Sequence, residues 1–420
     1  MNIFVSGINY KTTPLEIREK LCLNAEQQKL LLQEIQKLSC VDECVVLSTC
    51  NRTEVYVCSE TEGFEIDEVE KLLCKIKGLS IYDVKKYFYV YTGSKSVKHL
   101  FRVACGLDSM VLGEDQILGQ IKSAYELALD MQASSGVLNT LFRDAVTAAK
   151  KVKTRTGLSQ NSLSVSTLAV KLVNDIFSGD LSGKCTLVIG AGKIGSIALK
   201  NMVSKGIGKV YVTNRTHYRA DGLSKGYGNV VSVDYNRRYS VIDECDIVIS
   251  STSSPHYTIT RDMLEKSITN VKQRIFVDLA VPRDFDVSIK EIQGVKYFDI
   301  DDLQAVADKN LDKRMAETER AEEIIREYVA EYERWYEFRS VLPIVKDIQR
   351  FTNRIVNEKV NQMVVRLKSV SDEERELVIA SITGTVNSIL NKFIYSVRER
   401  ASKDDIQAYF RCLKEVMKDG

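Results

Sequence analysis

The spacing of apolar residues changes character along this chain and divides it into three stretches. Residues 1–155 alternate short strand patterns with helical ones. A strand is predicted over 3–7, and the tetrapeptide T-P-L-E follows at 13–16. Thr13 is placed there to cap a helix, Pro14 to occupy its first turn and Glu16 to reciprocate the cap. Residues 45–58, VVLSTCNRTEVYVC, read as two apolar strands folded about a polar turn that carries Cys50. Apolar residues at three- and four-residue spacing then predict helices over 114–132 and 137–153. The stretch is an α+β domain.

From about residue 161 the texture becomes β-branched. CTLVIGAGKIGSIALKNMVSKG, KVYVTNRT, DIVISSTSS and RIFVDLAVPR place short strands between helical patterns, the rhythm of a parallel sheet with crossover helices. After Gly294 no glycine occurs until Gly384, and Pro343 is the sole proline in that span. Leu311, Met315, Ile325, Tyr328, Tyr332 and Trp335 hold helical spacing, predicting a helix over 302–343 that would be about 60 Å long. Ile348, Phe351, Ile355, Met363 and Leu367 continue the period, and S-D-E-E at 371–374 is a capping box that opens another helix. So long a helix with one apolar stripe must span other domains or meet a partner, and dimerisation is the economical reading. Completion of a monomeric core is the alternative. Domain boundaries are expected near 155 and 305, giving 1–155, 156–305 and 306–420.

Composition narrows the class. At 420 residues and 44% hydrophobic, the chain is too long for one core and too apolar for disorder. The formal charge of +2 neither advertises nor excludes nucleic acid, and the cluster KKVKTR at 150–155 reads as a solvated helix end. Ten cysteines with no C-x-x-C pair and only three histidines imply reduced thiols and no metal site. The N-terminus MNIFVSGINY resembles no leader, and the apolar runs fall short of a membrane span, so a cytoplasmic location without membrane contact is expected.

Two sites carry chemistry. Gly190, Ala191, Gly192, Lys193, Ile194 and Gly195 follow a strand and open a helix. Such glycines permit a tight turn, a close approach of backbone to pyrophosphate and close packing of helix on strand. The alternatives are a structural glycine turn or an S-adenosylmethionine site. The next strand ends in Asn214, Arg215 and Thr216 instead of the acid that holds an unphosphorylated ribose, which favours NADPH. Ser250 to Ser254 fall where this fold presents loops to a cofactor. Cys50, beside Asn51 and Arg52, is placed to carry an acyl group as a thioester that a hydride reduces to an aldehyde. Its alternative is an inert buried thiol. Gln116 and Gln120 share one helical face where amides can meet a polar substrate, and His99 beside apolar residues reads as a packed surface group.

These motifs resemble one family, the glutamyl-tRNA reductases. LSTCNRTEVY (47–56), SMVLGEDQILGQIKSAYELA (109–128), the S-V-S run at 164–166, GAGKIG, TNRT, DLAVPRDFD (278–286) and YFDIDDL (297–303) occur in the family's order. The resemblance implies NADPH-dependent reduction of glutamyl-tRNA to glutamate 1-semialdehyde, the entry to tetrapyrrole synthesis, with Cys50 as nucleophile. It implies substrate contacts from Thr49, Asn51, Arg52, Ser109, Glu114, Asp115, Gln116 and Gln120, Arg52 holding the substrate carboxylate. It makes His99 important for activity, against the residue-level reading.

The fold it implies is an α+β catalytic domain, a Rossmann-type NADPH domain, a long connecting helix and an all-helical dimerisation domain. A homodimer and a transient complex with the downstream aminomutase are the implied partners. The chain departs from the family at Tyr395, where a histidine is expected, at Val397 in place of proline, and at Asp115, where many members carry proline. Two rivals stand beside this reading: a semialdehyde dehydrogenase acting on a small acyl phosphate or acyl-CoA, and a binding protein with a relict Rossmann domain.

Overall fold

The computed structural model describes residues 1–110, 113, 116–156, 158, 164–303, 315–339, 342–366, 371–400, 408 and 412. The chain forms two compact units, Asn2–Arg326 and Glu327–Gly420, the second with Met1.

The first unit opens with an antiparallel sheet of β1 (Ile3–Asn9), β2 (Glu43–Ser48), β3 (Arg52–Cys58) and β4 (Tyr89–Thr92) in the order β2-β3-β1-β4. Every residue of β3 is buried, and the helices account for that. These are α1 (Leu15–Leu21), α2 (Ala25–Gln36), α3 (Asp67–Ile76), α4 (Ile81–Val84), α5 (Ser94–Ala104), α6 (Gln116–Asp130) and α7 (Gly136–Arg155). With both faces covered, β1, β2 and β3 bury nearly every residue instead of alternate ones, while the edge strand β4 alternates. The two later helices fall where the periodicity put them, although Glu114 and Asp115 lie outside the described residues.

The start of α1 differs from expectation. Pro14, extended at ψ 153°, occupies the cap position with no side-chain cap bond. Its carbonyl accepts the first helical bonds from Ile17 and Arg18, while the carbonyl of Thr13 accepts from the Arg18 guanidinium at 3.2 Å. Thr13 therefore serves a buried arginine and does not cap. The N-terminus of α7 is capped from a distance: the Glu43 carboxylate accepts from the backbone N–H groups of Ser135, Val137 and Leu138 at 2.7–3.0 Å. A carboxylate there satisfies orphan donors and complements the helix dipole.

The second layer of this unit is a six-stranded parallel sheet. It contains β5 (Cys185–Ile189), β6 (Lys209–Asn214), β7 (Val230–Asp234), β8 (Ile247–Ser250), β9 (Arg274–Asp278) and β10 (Val295–Phe298) in the order β10-β9-β8-β5-β6-β7. That order reverses direction between β5 and β8, the doubly wound dinucleotide-binding topology with its crevice at the switch point. The crossovers are α8 (Val165–Ile176), which leads in, α9 (Lys193–Ser204), α10 (His217–Ser224), α11 (Arg238–Ile242) and α12 (Arg261–Ser267). Ser164 caps α8 by accepting from the Thr167 amide.

The expected long helix is described from α13 (Met315–Arg339), about 37 Å of helix. Residues 304–314 and 340–341 of the predicted span lie outside the described set. Arg102 of α5 pairs with Glu322 of α13. Pro343 sits inside the first turn of the next helix, α14 (Leu342–Arg366), and not at the end of the long one, as its missing N–H allows.

In the second unit α14 packs on α15 (Asp372–Arg400), with Gln349 donating to Asn391 at 3.4 Å. The capping box forms as expected: the Ser371 hydroxyl accepts from the Glu374 amide at 3.3 Å, and the Glu374 carboxylate accepts from the Ser371 amide at 2.9 Å. Val345 and Ile348 of α14 are buried, but Ile355 and Met363 are exposed, as are Leu377, Ile389, Phe393 and Tyr395 of α15. Leu367 lies outside the described residues.

Residues Asp372–Ser396 form a helix long and apolar enough to cross a membrane by length and composition alone, which corrects the expectation that no stretch approaches that limit. Polar Ser, Thr and Asn residues break up its apolar runs, yet residues 377–391 carry no charge.

Candidate functional site

The thiol turn is built by β2 and β3. Their register pairs Ser48 with Thr53, leaving Thr49, Cys50, Asn51 and Arg52 to reverse the chain. The Thr49 amide donates to the Arg52 carbonyl at 2.8 Å, and the Thr49 hydroxyl accepts from the amides of Asn51 and Arg52 at 3.2 and 3.1 Å. This threonine fixes the turn from within. From α1, Arg18 donates to the carbonyl of Cys50 and to Oδ1 of Asn51, both at 3.2 Å.

Cys50 is half-buried and borders a small cleft of about 20 Å³. Thr49, Asn51, Arg52, Ser109, Gln116 and Gln120 line the same cleft, so six of the predicted substrate residues converge on the thiol. Ile117 of α6 also lines the cleft and was not anticipated.

Behind the cleft lies a buried polar cluster centred on Glu54, which is fully buried. Its carboxylate accepts from Tyr56 at 2.6 Å, from Tyr89 at 2.5 Å and from Arg52, and faces Nε2 of His99 at 3.0 Å. Arg52 also donates to the carbonyl and the carboxylate of Asp108, and Lys11 pairs with that carboxylate. Burial pushes the Glu54 carboxyl up, but Arg52 and His99 outweigh it and hold the group well below the usual range. Asp108 follows the same logic, burial raising and Arg52 with Lys11 lowering more. Burial and then the Glu54 charge push the Tyr56 and Tyr89 hydroxyls far up, so both remain donors.

Two expectations change here. Arg52 does not offer an open fork to a substrate carboxylate, because its guanidinium already engages Glu54 and Asp108. His99 does not line the cleft. It is buried, with the rings of Tyr89 and Tyr91 at 5.6 and 5.0 Å, and meets Glu54. Glu54 went unsingled in the sequence, although Arg52, Glu54 and Tyr56 stand two apart on one face of a strand and so had to meet.

The second cavity, about 470 Å³, opens at the switch point. Gly190, Gly192, Lys193, Ile194, Asn214, Arg215 and Thr216 line it, joined by Ser251 to Ser254 from the loop after β8. Gly190 has φ +104°, and a Cβ there would stand 2.7 Å from the Ser251 carbonyl oxygen. A Cβ on Gly195 would stand 1.9 Å from the Gly190 carbonyl oxygen. The two glycines thus allow turn and helix to close on each other, while Gly192, at the cap of α9, has open space where a ligand would approach.

Ala191 and Gly195 do not line the cavity. The Ala191 amide donates to Oδ1 of Asn214 at 3.1 Å, and the Asn214 amide group donates to the Thr216 carbonyl at 3.0 Å, so Asn214 brackets the glycine loop. Arg219 and Tyr235 also line the cavity and were not anticipated. Arg219 lies in the first turn of α10, four residues after Arg215, close enough in sequence to have been considered. The volume and the glycine cradle fit a nicotinamide dinucleotide.

A third cavity, about 550 Å³, runs along α6 past Ser48, Gly119 and Ser123. Gln116 borders all three cavities, Gln120 joins the third to the thiol cleft, and Lys193 joins it to the dinucleotide cavity.

Three family models match the chain in succession: the glutamyl-tRNAGlu reductase N-terminal domain over residues 6–156, shikimate / quinate 5-dehydrogenase over 171–306 and the glutamyl-tRNAGlu reductase dimerisation domain over 320–418. The chain is similar to glutamyl-tRNA reductase of Heliobacterium mobile, 36% identical over 420 residues, with 99% of this chain and 94% of that protein covered. It is similar to the enzyme of that name from Carboxydothermus hydrogenoformans, 37% identical over 417 residues with 99% and 92% covered. The solved glutamyl-tRNA reductase from Methanopyrus kandleri aligns over the whole of both chains at 27% identity, with a TM-score of 0.49.

Proposed function

The chain belongs to the glutamyl-tRNA reductase family, and we propose that it reduces the glutamyl group of glutamyl-tRNA to glutamate 1-semialdehyde through a thioester on Cys50, releasing the tRNA. The observation that carries this reading is Gln116, which borders both the thiol cleft and the dinucleotide cavity. An acyl group on Cys50 and a cofactor in the neighbouring cavity would share one wall.

In this reading the Cys50 sulfur attacks the ester carbonyl and the ribose oxygen of the tRNA leaves. Thr49 and Arg18 hold the turn, so the nucleophile is presented with little freedom to lose. Gln116, Gln120, Asn51 and Ser109 offer neutral hydrogen-bonding groups to the glutamyl moiety. Glu114 and Asp115 keep the substrate-recognition role their place in the family motif implies. Arg52 contributes positive charge to the cleft wall while anchored by Glu54 and Asp108, and His99 acts through Glu54 as a positioning residue.

A bound dihydronicotinamide supplies the hydride that converts the thioester to the aldehyde and frees the Cys50 thiolate. Arg215, with Arg219 beside it and the Thr216 hydroxyl, would hold a ribose 2′-phosphate, which makes NADPH the preferred form. The amides at the start of α9 would face the pyrophosphate. No residue is assigned to a metal.

The exposed apolar side chains of α14 and α15 suit an interface with a second copy, and a homodimer through these helices accounts for the uncharged stretch 377–391 without a membrane. The protein would then work in the cytoplasm, where a transient complex with the aminomutase that consumes the aldehyde would protect a reactive product.

The test is single-turnover NADPH oxidation by the wild type and by Cys50→Ser, each offered glutamyl-tRNA, uncharged tRNA, free glutamate or glutamyl phosphate. Oxidation by the wild type with glutamyl-tRNA alone is the expected result. Full activity in Cys50→Ser removes the thioester, and turnover of glutamyl phosphate without tRNA turns the reading toward a semialdehyde dehydrogenase.

A further inference from the structure

A contiguous run of polar contacts links the thiol turn to the cofactor loop, and it passes through two pairs of sequence neighbours. The first pair lies on α1. Arg18, 2% exposed, holds the Cys50 and Asn51 side of the turn and reaches Asp301 beyond β10. Glu19, the next residue, accepts from Arg283 in a two-pronged pair, Nε to Oε1 at 2.8 Å and Nη2 to Oε2 at 3.0 Å. The backbone N–H of Arg283 donates to the same carboxylate at 2.8 Å.

The second pair is Arg283 and Asp284. Asp284, fully buried, accepts from the Ser250 hydroxyl at 2.6 Å and from the Thr252 amide at 2.7 Å. Thr252 in turn lines the dinucleotide cavity. One short helix and one loop therefore connect the carrier of the acyl group to the wall of the cofactor site, with no other element between them.

We propose that Glu19 and Arg283 are positioning residues for hydride transfer, setting the separation between the acyl carbonyl on Cys50 and the cofactor cavity. The inference rests on the reading of Cys50 given above. Acyl transfer forms the sulfur–carbonyl bond and expels the ribose oxygen, all within the N-terminal sheet and its helices. Hydride transfer differs: two electrons and a hydrogen pass to the thioester carbonyl carbon, the carbon–sulfur bond breaks, and the thiolate leaves as the aldehyde forms. That step needs both layers in register.

The contact suits such a task. A two-pronged arginine–carboxylate pair fixes direction as well as distance, and its side chains are only 11% and 15% exposed, so water and salt screen it little. A misplacement of about 1 Å between reacting groups can cost on the order of 100-fold in rate.

The experiment uses the full chain with Glu19→Gln, which keeps shape and drops charge, and Arg283→Lys, which keeps charge and drops the fork. Acylation of Cys50 by glutamyl-tRNA is followed by intact mass without NADPH, and NADPH oxidation is followed in single turnovers of the acylated enzyme. We expect acylation within about twofold of wild type in both variants, and a hydride-transfer rate lowered about tenfold or more. Equal losses in both steps, or no loss in either, would overturn the proposal. The wild-type acylation measured alongside separates the two levels: an unacylated Cys50 there overturns the thioester reading and the inference with it, whereas normal acylation confines any failure to Glu19 and Arg283.

Discussion

His99 and Glu54 face each other at 3.0 Å, Nε2 to Oε1, the carboxylate fully buried and the imidazole nearly so. The same carboxylate accepts from Arg52, which lines the thiol cleft. Through this carboxylate the histidine reaches the wall of the cleft.

Glu54→Gln should break the cluster, because an amide cannot balance the buried Arg52 charge. Removing one partner of a buried ion pair costs about 3–5 kcal/mol. Chemical denaturation should show that loss, and the rate of Cys50 acylation should fall with it as the cleft wall loosens. An unchanged midpoint in urea would show that Arg52 is compensated by Asp108 alone.

The same residue sets a pH dependence. Its folded carboxyl lies below its unfolded value, so the stabilisation is full above about pH 4.3 and is lost as pH falls toward the folded value. The stability gap between wild type and Glu54→Gln should therefore narrow when unfolding is measured at pH 3 instead of pH 7. Asp278 has the opposite sign. Burial and then the neighbouring Asp284 raise its carboxyl, so its cost is absent below about pH 3.9 and grows as pH rises. Asp278→Asn should gain stability relative to wild type between pH 4 and pH 7.

Gly190→Ala and Gly195→Ala should each impair dinucleotide binding. At Gly190 the added carbon meets the Ser251 carbonyl and a φ of +104°; at Gly195 it meets the Gly190 carbonyl at 1.9 Å. Backbone neighbours cannot swing aside, so the loop must open. NADPH affinity measured by fluorescence titration should drop about tenfold or more, while acylation of Cys50 proceeds. Gly192→Ala meets nothing within 4 Å and should leave the free protein's stability unchanged, which isolates any effect on ligand approach.

Arg215→Ala combined with Arg219→Ala removes both arginines from the cavity wall and leaves Lys193. NADPH binding should weaken about tenfold or more, since charged hydrogen bonds to phosphate are lost, and NADH binding should hardly move. Equal weakening of both cofactors would place the 2′-phosphate elsewhere.

Local pattern determined the elements of this protein. The β-branched runs before GAGKIG, KVYVT, DIVIS and RIFVD became β5, β6, β8 and β9, because strand and helix periods follow from neighbouring residues alone. The thiol turn was legible for the same reason: two apolar runs about Thr49 to Asn51 leave no other place to reverse. What the tertiary structure alone decided are the partners of charged residues distant in sequence. Arg52 reaches Asp108, Arg18 finds Asp301, Glu19 finds Arg283, and Glu43 caps α7 across the domain. A buried charge must find compensation wherever the fold brings it. Sequence spacing reveals that need, and packing chooses the partner that meets it.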